Sequence, residues 1–304
     1  MRSLPVVLSS FVTALAALAA SWPASGRAEG EASLVVLSAE NATYRALADG
    51  FSSTAGATTT LLVSAPAFAE QLAPALEKAK VVFAIGPEAA RVVLEKRSAK
   101  PVLVAFAEGT ASDSKTLVVP VLVPPEQQLA ALKSTLPSVL DVPKQPRLGV
   151  LYDPKISSRL VGEYEAAAKA AGLSLVKAEV KQRSEVADAA RELLDRVQAL
   201  WLVPDATVVN LESFRTLVQL SLARKVPVIG FGEPMAKAGC VLAVQPEYAG
   251  LGKAVGTAAR RLMEGKPATL PAPEGVIYLN AKAATLLGIE LTEAARSKAA
   301  KIYD

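Results

Sequence analysis

KVPVIGFGEPMAKAGCVLAVQPEYAGLGKAVGTAARRLMEGKPATLPAPEGVIYLNAKAATLL, residues 225–287, is the stretch on which the fold turns. Its runs 226–231 and 240–245 are short, apolar and β-branched, the signature of buried strands. Gly232-Glu233-Pro234 between them reads as a turn. From Tyr248 to Met263 the spacing becomes helical: Leu251, Val255, Ala258, Ala259 and Leu262 share one side, and Gly265 marks the stop. After a proline-broken segment, Ile277-Tyr278-Leu279 forms another strand, and Asn280 is suited to cap a helix over 281–287. Such a tail is out of place in a single α/β domain. It fits a two-lobed protein whose chain crosses a hinge more than once.

Upstream, the same rhythm runs twice. Strands at 34–37, 58–63, 81–85, 102–106 and 117–123 surround helices at 41–51, 67–79 and 87–97. A helix at 125–136 opens the second series, in which strands 148–152, 173–180, 200–203 and 226–231 are separated by helices 158–171, 186–197 and 208–223. Continuously apolar strands with one helix between each pair predict parallel sheets covered on both faces. The expected class is α/β, with two doubly wound Rossmann-like lobes joined by a multi-crossing hinge. The lobes are expected at 33–123 plus 244–267 and at 124–243 plus 268–304, with the Pro- and Lys-containing segment 141–147 near their junction.

A chain of 304 residues, 51% hydrophobic and 20% charged, has the length for two domains and the apolar content for a large core. Its start has the pattern of an export signal: Arg2, then an apolar run over 6–20, then the small residues Gly26 and Ala28. Cleavage is expected after Ala28, or alternatively after Ala24; retention as a membrane anchor is disfavoured because the run is short for a span of ~20 residues. No cysteine follows the signal to take a lipid, and Cys240 stands alone, so a free periplasmic product without an intrachain disulfide is expected. Cys240 lies in an apolar strand and reads as a small buried hydrophobe. The net charge of +4 is spread out and aromatics make up 5%, which gives no footprint for nucleic acid.

The chain has no histidine. That removes Ser-His-Asp and Cys-His catalysis and leaves a conventional zinc site without its main ligands. No phosphate-loop motif is present, and Gly250-x-Gly252-x-x-x-Gly256 has the wrong spacing for a dinucleotide fingerprint. Those glycines fall inside an expected helix, where small residues allow close packing. The residues therefore imply binding, with no catalytic residue, metal or cofactor.

In open parallel sheets, ligands sit beyond the carboxyl ends of the strands. The candidate ligand-binding residues there are Ser38, Asn41, Gly86, Glu88, Phe106, Tyr152, Asp205, Thr207 and Glu233, with Tyr248 just past a hinge crossing. Asp205 is suited to pair with an ammonium group, and Phe106 or Tyr152 to supply an apolar wall. Each also has a structural reading. Ser38, Asn41 and Thr207 are typical helix caps, and Asp153-Pro154 and Glu233-Pro234 are typical turns.

The chain resembles the ABC transporter substrate-binding family with the type I periplasmic-binding fold, some members of which bind aromatic amino acids. The matching pieces are Val82-Phe83-Ala84-Ile85-Gly86-Pro87-Glu88-Ala89-Ala90, Arg147-Leu148-Gly149-Val150-Leu151-Tyr152-Asp153-Pro154, Val203-Pro204-Asp205 and Val226-Pro227-Val228-Ile229. They continue through Pro246-Glu247-Tyr248-Ala249-Gly250-Leu251-Gly252 to Leu279-Asn280 and Leu287-Gly288-Ile289. The resemblance implies hinge closure around a small solute, such as an amino acid, and delivery to an ABC permease in the inner membrane. A ligand sensor or scaffold that presents the same fold to a membrane receptor is the alternative. Three departures fall on expected binding positions. Pro204-Asp205-Ala206 stands where members often have Thr-Asp-Asn, Pro87 where Thr usually follows the glycine, and Ala107-Glu108-Gly109-Thr110 where an Asp-Pro turn is common. Amino-acid specificity is therefore not carried over.

Overall fold

The computed structural model describes residues 33–96, 100–107, 109–142 and 144–304. The expected export segment lies outside these, as does Glu108. The first sheet grows from β1 (Ser33–Leu37), α1 (Ala42–Ala55), β2 (Thr58–Leu62), α2 (Phe68–Lys78), β3 (Val81–Ile85), α3 (Pro87–Lys96), β4 (Val102–Ala105) and β5 (Thr116–Val118). All its ladders are parallel, in the order β2-β1-β3-β4-β5. Side chains on a strand alternate between faces, so one face holds Val35, Leu37, Phe83 and Ile85 and the other Leu34, Val36, Val82 and Ala84. Helices α2 and α3 cover the second face with Phe68, Leu72, Ala89 and Val93. On the first, Leu47 and Phe51 of α1 pack beside Leu251, Val255 and Ala259, which arrive from far along the chain.

The second sheet comes after α4 (Pro125–Thr135) and the short α5 (Pro137–Leu140). It is built by β6 (Arg147–Tyr152), α6 (Pro154–Ala170), β7 (Ser174–Glu179), α7 (Val186–Leu194), β8 (Ala199–Trp201), α8 (Leu211–Ala223), β9 (Val228–Gly230), α9 (Glu233–Lys237) and β10 (Leu242–Pro246). The chain then leaves as α10 (Tyr248–Met263) and returns as β11 (Gly275–Asn280), α11 (Ala281–Leu287), α12 (Glu293–Arg296) and β12 (Ala299–Tyr303). The order is β12-β11-β10-β9-β8-β6-β7, parallel except for the β10–β11 pair. The expected pair of doubly wound lobes is present.

Local departures from the sequence reading have local causes. Gly232-Glu233-Pro234 opens α9 rather than making a bare turn, because Pro234 falls in the first helical turn, where its fixed φ suits the helix. The segment expected as a strand over 117–123 pairs only over Thr116–Val118, since prolines at 120, 124 and 125 break the ladder beyond it. The edge strand β12 carries exposed Ala300 and Lys301, so its apolar pattern is weak in the sequence. Asn280 caps α11 as expected, its Oδ1 accepting from the Ala283 amide at 2.6 Å.

Glycine lets α10 lie against α1. A Cβ at Gly252 would overlap the Leu47 carbonyl, and one at Gly256 the Phe51 carbonyl. Thr54 Oγ1 closes the seam by donating to the Lys253 carbonyl at 2.8 Å. The crossings between the sheets are tied to one another as well. The Glu247 amide donates to the Glu274 carbonyl at 2.9 Å. Gln127 Nε2 donates to the Pro273 carbonyl at 3.3 Å while its Oε1 accepts from the Gly275 amide at 3.2 Å. Gln128, buried one residue on, donates to the Val123 carbonyl and to Tyr164 Oη and accepts from Trp201 Nε1, anchoring the first crossing to the second sheet. Among the described residues, no helix is long and apolar enough to cross a membrane.

Candidate functional site

Strand order places the crevices. In both sheets the first strand of the series, β1 or β6, lies between the second and the third, so consecutive connections leave in opposite directions from a switch point at its carboxyl end. The sheet-one switch point lies between the ends of β1 and β3, next to Ser38 and Gly86. The sheet-two switch point lies between β6 and β8, next to Asp153 and Asp205. Several residues chosen from the sequence therefore converge on two spots.

At the first spot, Ser38 Oγ accepts from the Ala89 amide at 2.8 Å, capping α3 from the neighbouring loop. Gly86 has φ +98°, and a Cβ there would come within 2.5 Å of Ser38 Oγ and 2.9 Å of the Tyr44 ring, so only glycine fits. Asn41 caps α1 through the Tyr44 amide at 2.9 Å. Glu88 points along α3 and pairs with Arg91 at 3.0 Å, both side chains more than half exposed.

At the second spot, Asp205 is 3% exposed and both its carboxylate oxygens are occupied within the lobe. Oδ2 accepts from the Asp153 amide at 2.7 Å and from Ser157 Oγ; Oδ1 accepts from the amides of Thr207 and Val208 at 2.9 and 3.2 Å. Asp153 in turn caps α6 through the Lys155 amide and accepts from Thr207 Oγ1 at 3.0 Å. Buried carboxylates persist where donors surround them, and this cluster binds the β6–α6 loop to the β8–α8 loop. Tyr152 is buried, and its hydroxyl donates to Glu179 at 3.0 Å; burial first, then that contact, raises its pKa. Glu233 reaches across to β12, accepting from Tyr303 Oη and Lys301 Nζ, and the Tyr303 hydrogen bond leads the causes that hold its carboxyl below the usual range.

Phe106, directly after β4, is the one expected wall residue that stands among other rings. Its backbone has φ +55°, a left-handed conformation rare for a bulky residue. Its ring lies 5.2 Å from that of Tyr44 and 5.8 Å from that of Tyr248, centroid to centroid, and all three residues are half-buried. Burial pushes the Tyr248 phenol up to about 12 and also raises Tyr44, while nearby Tyr278 adds to the shift at Tyr248. These phenols stay neutral near pH 7. Sequence reasoning places Tyr44 on the core face of its helix and Tyr278 in a strand. Tyr44 meets Phe106 within the layers of the first sheet, and Tyr248 joins them only because α10 crosses back to α1.

An open groove of about 680 Å³ runs between the first crossing, over 120–125, and the start of α6, lined by Val121, Ile156, Leu160 and Pro204 among others. Among the described residues, no cluster of His, Cys, Asp or Glu is placed to hold a metal ion. Burial pushes the Cys240 thiol pKa far up, in keeping with an inert packing role.

A family model described as ABC transporter substrate binding protein matches residues 67–303. The chain belongs to this family. Among solved structures similar to this substrate-binding protein is an ABC domain from Streptococcus pneumonia in complex with L-Trp, at 20% identity and TM-score 0.60, covering 90% of this chain and 99% of that one. A conserved domain protein from Vibrio cholerae matches at 20% identity and TM-score 0.60, covering 90% and 100%. A ligand-free, open substrate-binding protein with adhesive properties from Clostridium difficile matches at 16% identity and TM-score 0.68, covering 90% and 99%. At these identities the likeness is one of fold, that of type I periplasmic-binding proteins. No curated protein matches the chain.

Proposed function

We propose that this substrate-binding family member is the exported solute receptor of an ABC import system and works by hinge closure rather than catalysis. The observation that supports this most directly is the pairing of two switch-point sheets through crossings laced together at Gln127, Glu247 and Glu274. Such crossings allow one lobe to turn against the other while each sheet keeps its own core. A solute touching both lobes favours the closed state by its difference in affinity for the two states, and the closed state is what an inner-membrane permease would recognise. The proposed moving bodies are the lobes at 33–123 plus 244–267 and at 124–243 plus 268–304. The proposed site lies between the switch points, with Ser38, Gly86, Phe106 and Tyr248 on one side and Tyr152, Asp205 and Thr207 on the other, and Asn41, Glu88 and Glu233 at its margins. The address is the periplasm, with the signal removed after Ala28 or Ala24.

A thermal-shift screen of small solutes, followed by small-angle scattering with and without each hit, tests the reading. A ligand at ~100 times its Kd should stabilise the protein by about 2.7 kcal/mol, and the radius of gyration should fall. Stabilisation without compaction would count against hinge closure. Sequencing of the amino terminus from an exported sample should begin at Glu29 or Ser25.

A further inference from the structure

A second surface lies away from the solute crevice and is independent of it. We propose that the outer end of the first lobe, at the amino edge of its sheet, docks on an anionic phospholipid bilayer.

Basic residues that are spread out in the sequence are gathered there by the fold. Lys80, Lys100 and Lys115 stand just ahead of β3, β4 and β5. Those strands are neighbours, with Val82 opposite Val102 and Val102 opposite Thr116, so the three lysines form a row at steps of about 4.8 Å. Helices that connect parallel strands run back to the same edge, and α2 and α3 end there with Lys78 and Lys96 in their last turns. On the other face α10 does likewise. It starts at the Tyr248–Phe106 ring contact, passes Leu47 at Gly252 and Phe51 at Gly256, and finishes with Arg260 and Arg261 in its last turn. Lys78, Lys80, Lys96 and Lys115 are exposed. Lys100 is half-buried and donates to the Leu76 and Glu77 carbonyls at 2.5 and 2.6 Å, neutral acceptors that leave its charge in place. Among the described residues the acids at this end are Glu77, Asp113, which accepts from the amides of Lys115 and Thr116, and Glu264, which pairs with Lys266. Part of the positive charge complements the negative ends of α2, α3 and α10. Lys115 follows no helix and adds to it.

The chemistry of this end fits lipid better than another polyanion. A protein partner needs an apolar or aromatic anchor at the centre of the contact. The exposed large hydrophobics among the described residues, Ile156, Leu211 and Leu286, all lie in the second lobe. Single-stranded nucleic acid needs rings for its bases to stack on, and here Phe51 and Phe83 are buried while Tyr44 and Phe106 stand at the opposite edge. Lysine is a flexible point charge that asks no fixed geometry of its partner, and a row of lysines suits the diffuse negative charge of a bilayer. At the carboxyl edge the charges are paired instead, Glu40 with Arg45 and Glu88 with Arg91. A strand length separates the two edges, about 17 Å for a strand such as β1, so docking leaves the crevice clear.

The test is co-sedimentation of the exported protein with vesicles of phosphatidylcholine alone or of equal parts phosphatidylcholine and phosphatidylglycerol. Binding to the mixed vesicles and not to the neutral ones is expected. It should vanish between ~0.01 and ~1 M salt, as the Debye length shrinks from ~30 to ~3 Å. Lys80→Gln, Lys96→Gln and Lys115→Gln should each weaken it about fivefold, with circular dichroism and melting temperature unchanged. Arg147→Gln with Arg196→Gln, exposed ahead of β6 and β8 at the corresponding edge of the second sheet, should weaken it far less. An equal loss in that pair would assign the effect to the charge of the whole molecule and overturn the proposal. So would binding to neutral vesicles, which needs an apolar anchor, tighter binding to a DNA duplex than to the mixed vesicles, or no binding to either vesicle. None of these outcomes bears on solute binding, which ligand screening tests separately.

Discussion

Asp205 shows how one side chain can stand at a binding position and also be built into the frame. Its position after a buried strand, at the end facing the crevice, is what a ligand-pairing acid requires, and the sequence carries nothing to show that Ser157 and the Asp153 amide come to meet it. Replacing Asp205 with Ala leaves those donors and the amides of Thr207 and Val208 without an acceptor in a site that water enters poorly. The expected loss is about 3 kcal/mol, read as a lower urea midpoint with an unchanged slope. Asp205→Asn should lose less, since one oxygen remains. A variant as stable as the parent would show that the four contacts carry no net energy.

At the scale of elements, the seam between α1 and α10 does the most to shape the molecule. Gly250-x-Gly252-x-x-x-Gly256 has the look of a damaged nucleotide motif, and its Gly252 and Gly256 form a contact surface, with backbone of one helix against backbone of the other. Close approach of this kind buries the small faces of both helices and lets Leu251, Val255 and Ala259 share one core with Leu47 and Phe51. Gly256→Val would drive a side chain into the Phe51 carbonyl and push α10 off α1. Overpacking of this sort costs about 2 kcal/mol, and the melting temperature should fall by several degrees. Hydrogen exchange should rise at the β1 and β3 amides under that seam more than in β6 and β8. Uniform protection would refute the seam's role. The span and the packing face of α10 are both legible from its 3.6-residue pattern, because an amphipathic stripe is written locally. Which helix it meets is not, since roughly 200 residues of chain separate the two.

For the whole molecule the deciding feature is the lacing of the crossings between the two sheets. Gln127 bonds both a carbonyl and an amide of the returning segment, and Glu247 with Glu274 adds a backbone tie, so the crossings are fastened to one another. Gln127→Ala removes two hydrogen bonds and leaves the Gly275 amide to solvent. Stability should drop by about 1 kcal/mol. The larger effect should be on scattering, with a broader distribution of lobe separations in the unliganded protein and faster exchange at Gly275. An unchanged distribution would mean that the hinge is held elsewhere.

Much of this is decided within the sequence. Alternating apolar strands and striped helices specify parallel sheets wrapped by helices, and their recurrence specifies two lobes, because each pattern is set by residues a few positions apart. The tail 225–287 tells of repeated crossings between the sheets for the same reason: its elements are strongly periodic and its breaks carry proline and glycine. Tertiary structure alone decides which polar side chains serve the frame and which remain open. Asp205, Ser38, Asn41 and Glu233 stand at crevice positions yet are met by donors from residues up to 70 positions away. Tyr44, Phe106 and Tyr248 become one wall only when α10 returns to α1. Contacts between distant segments depend on how whole elements pack, and no local pattern records them.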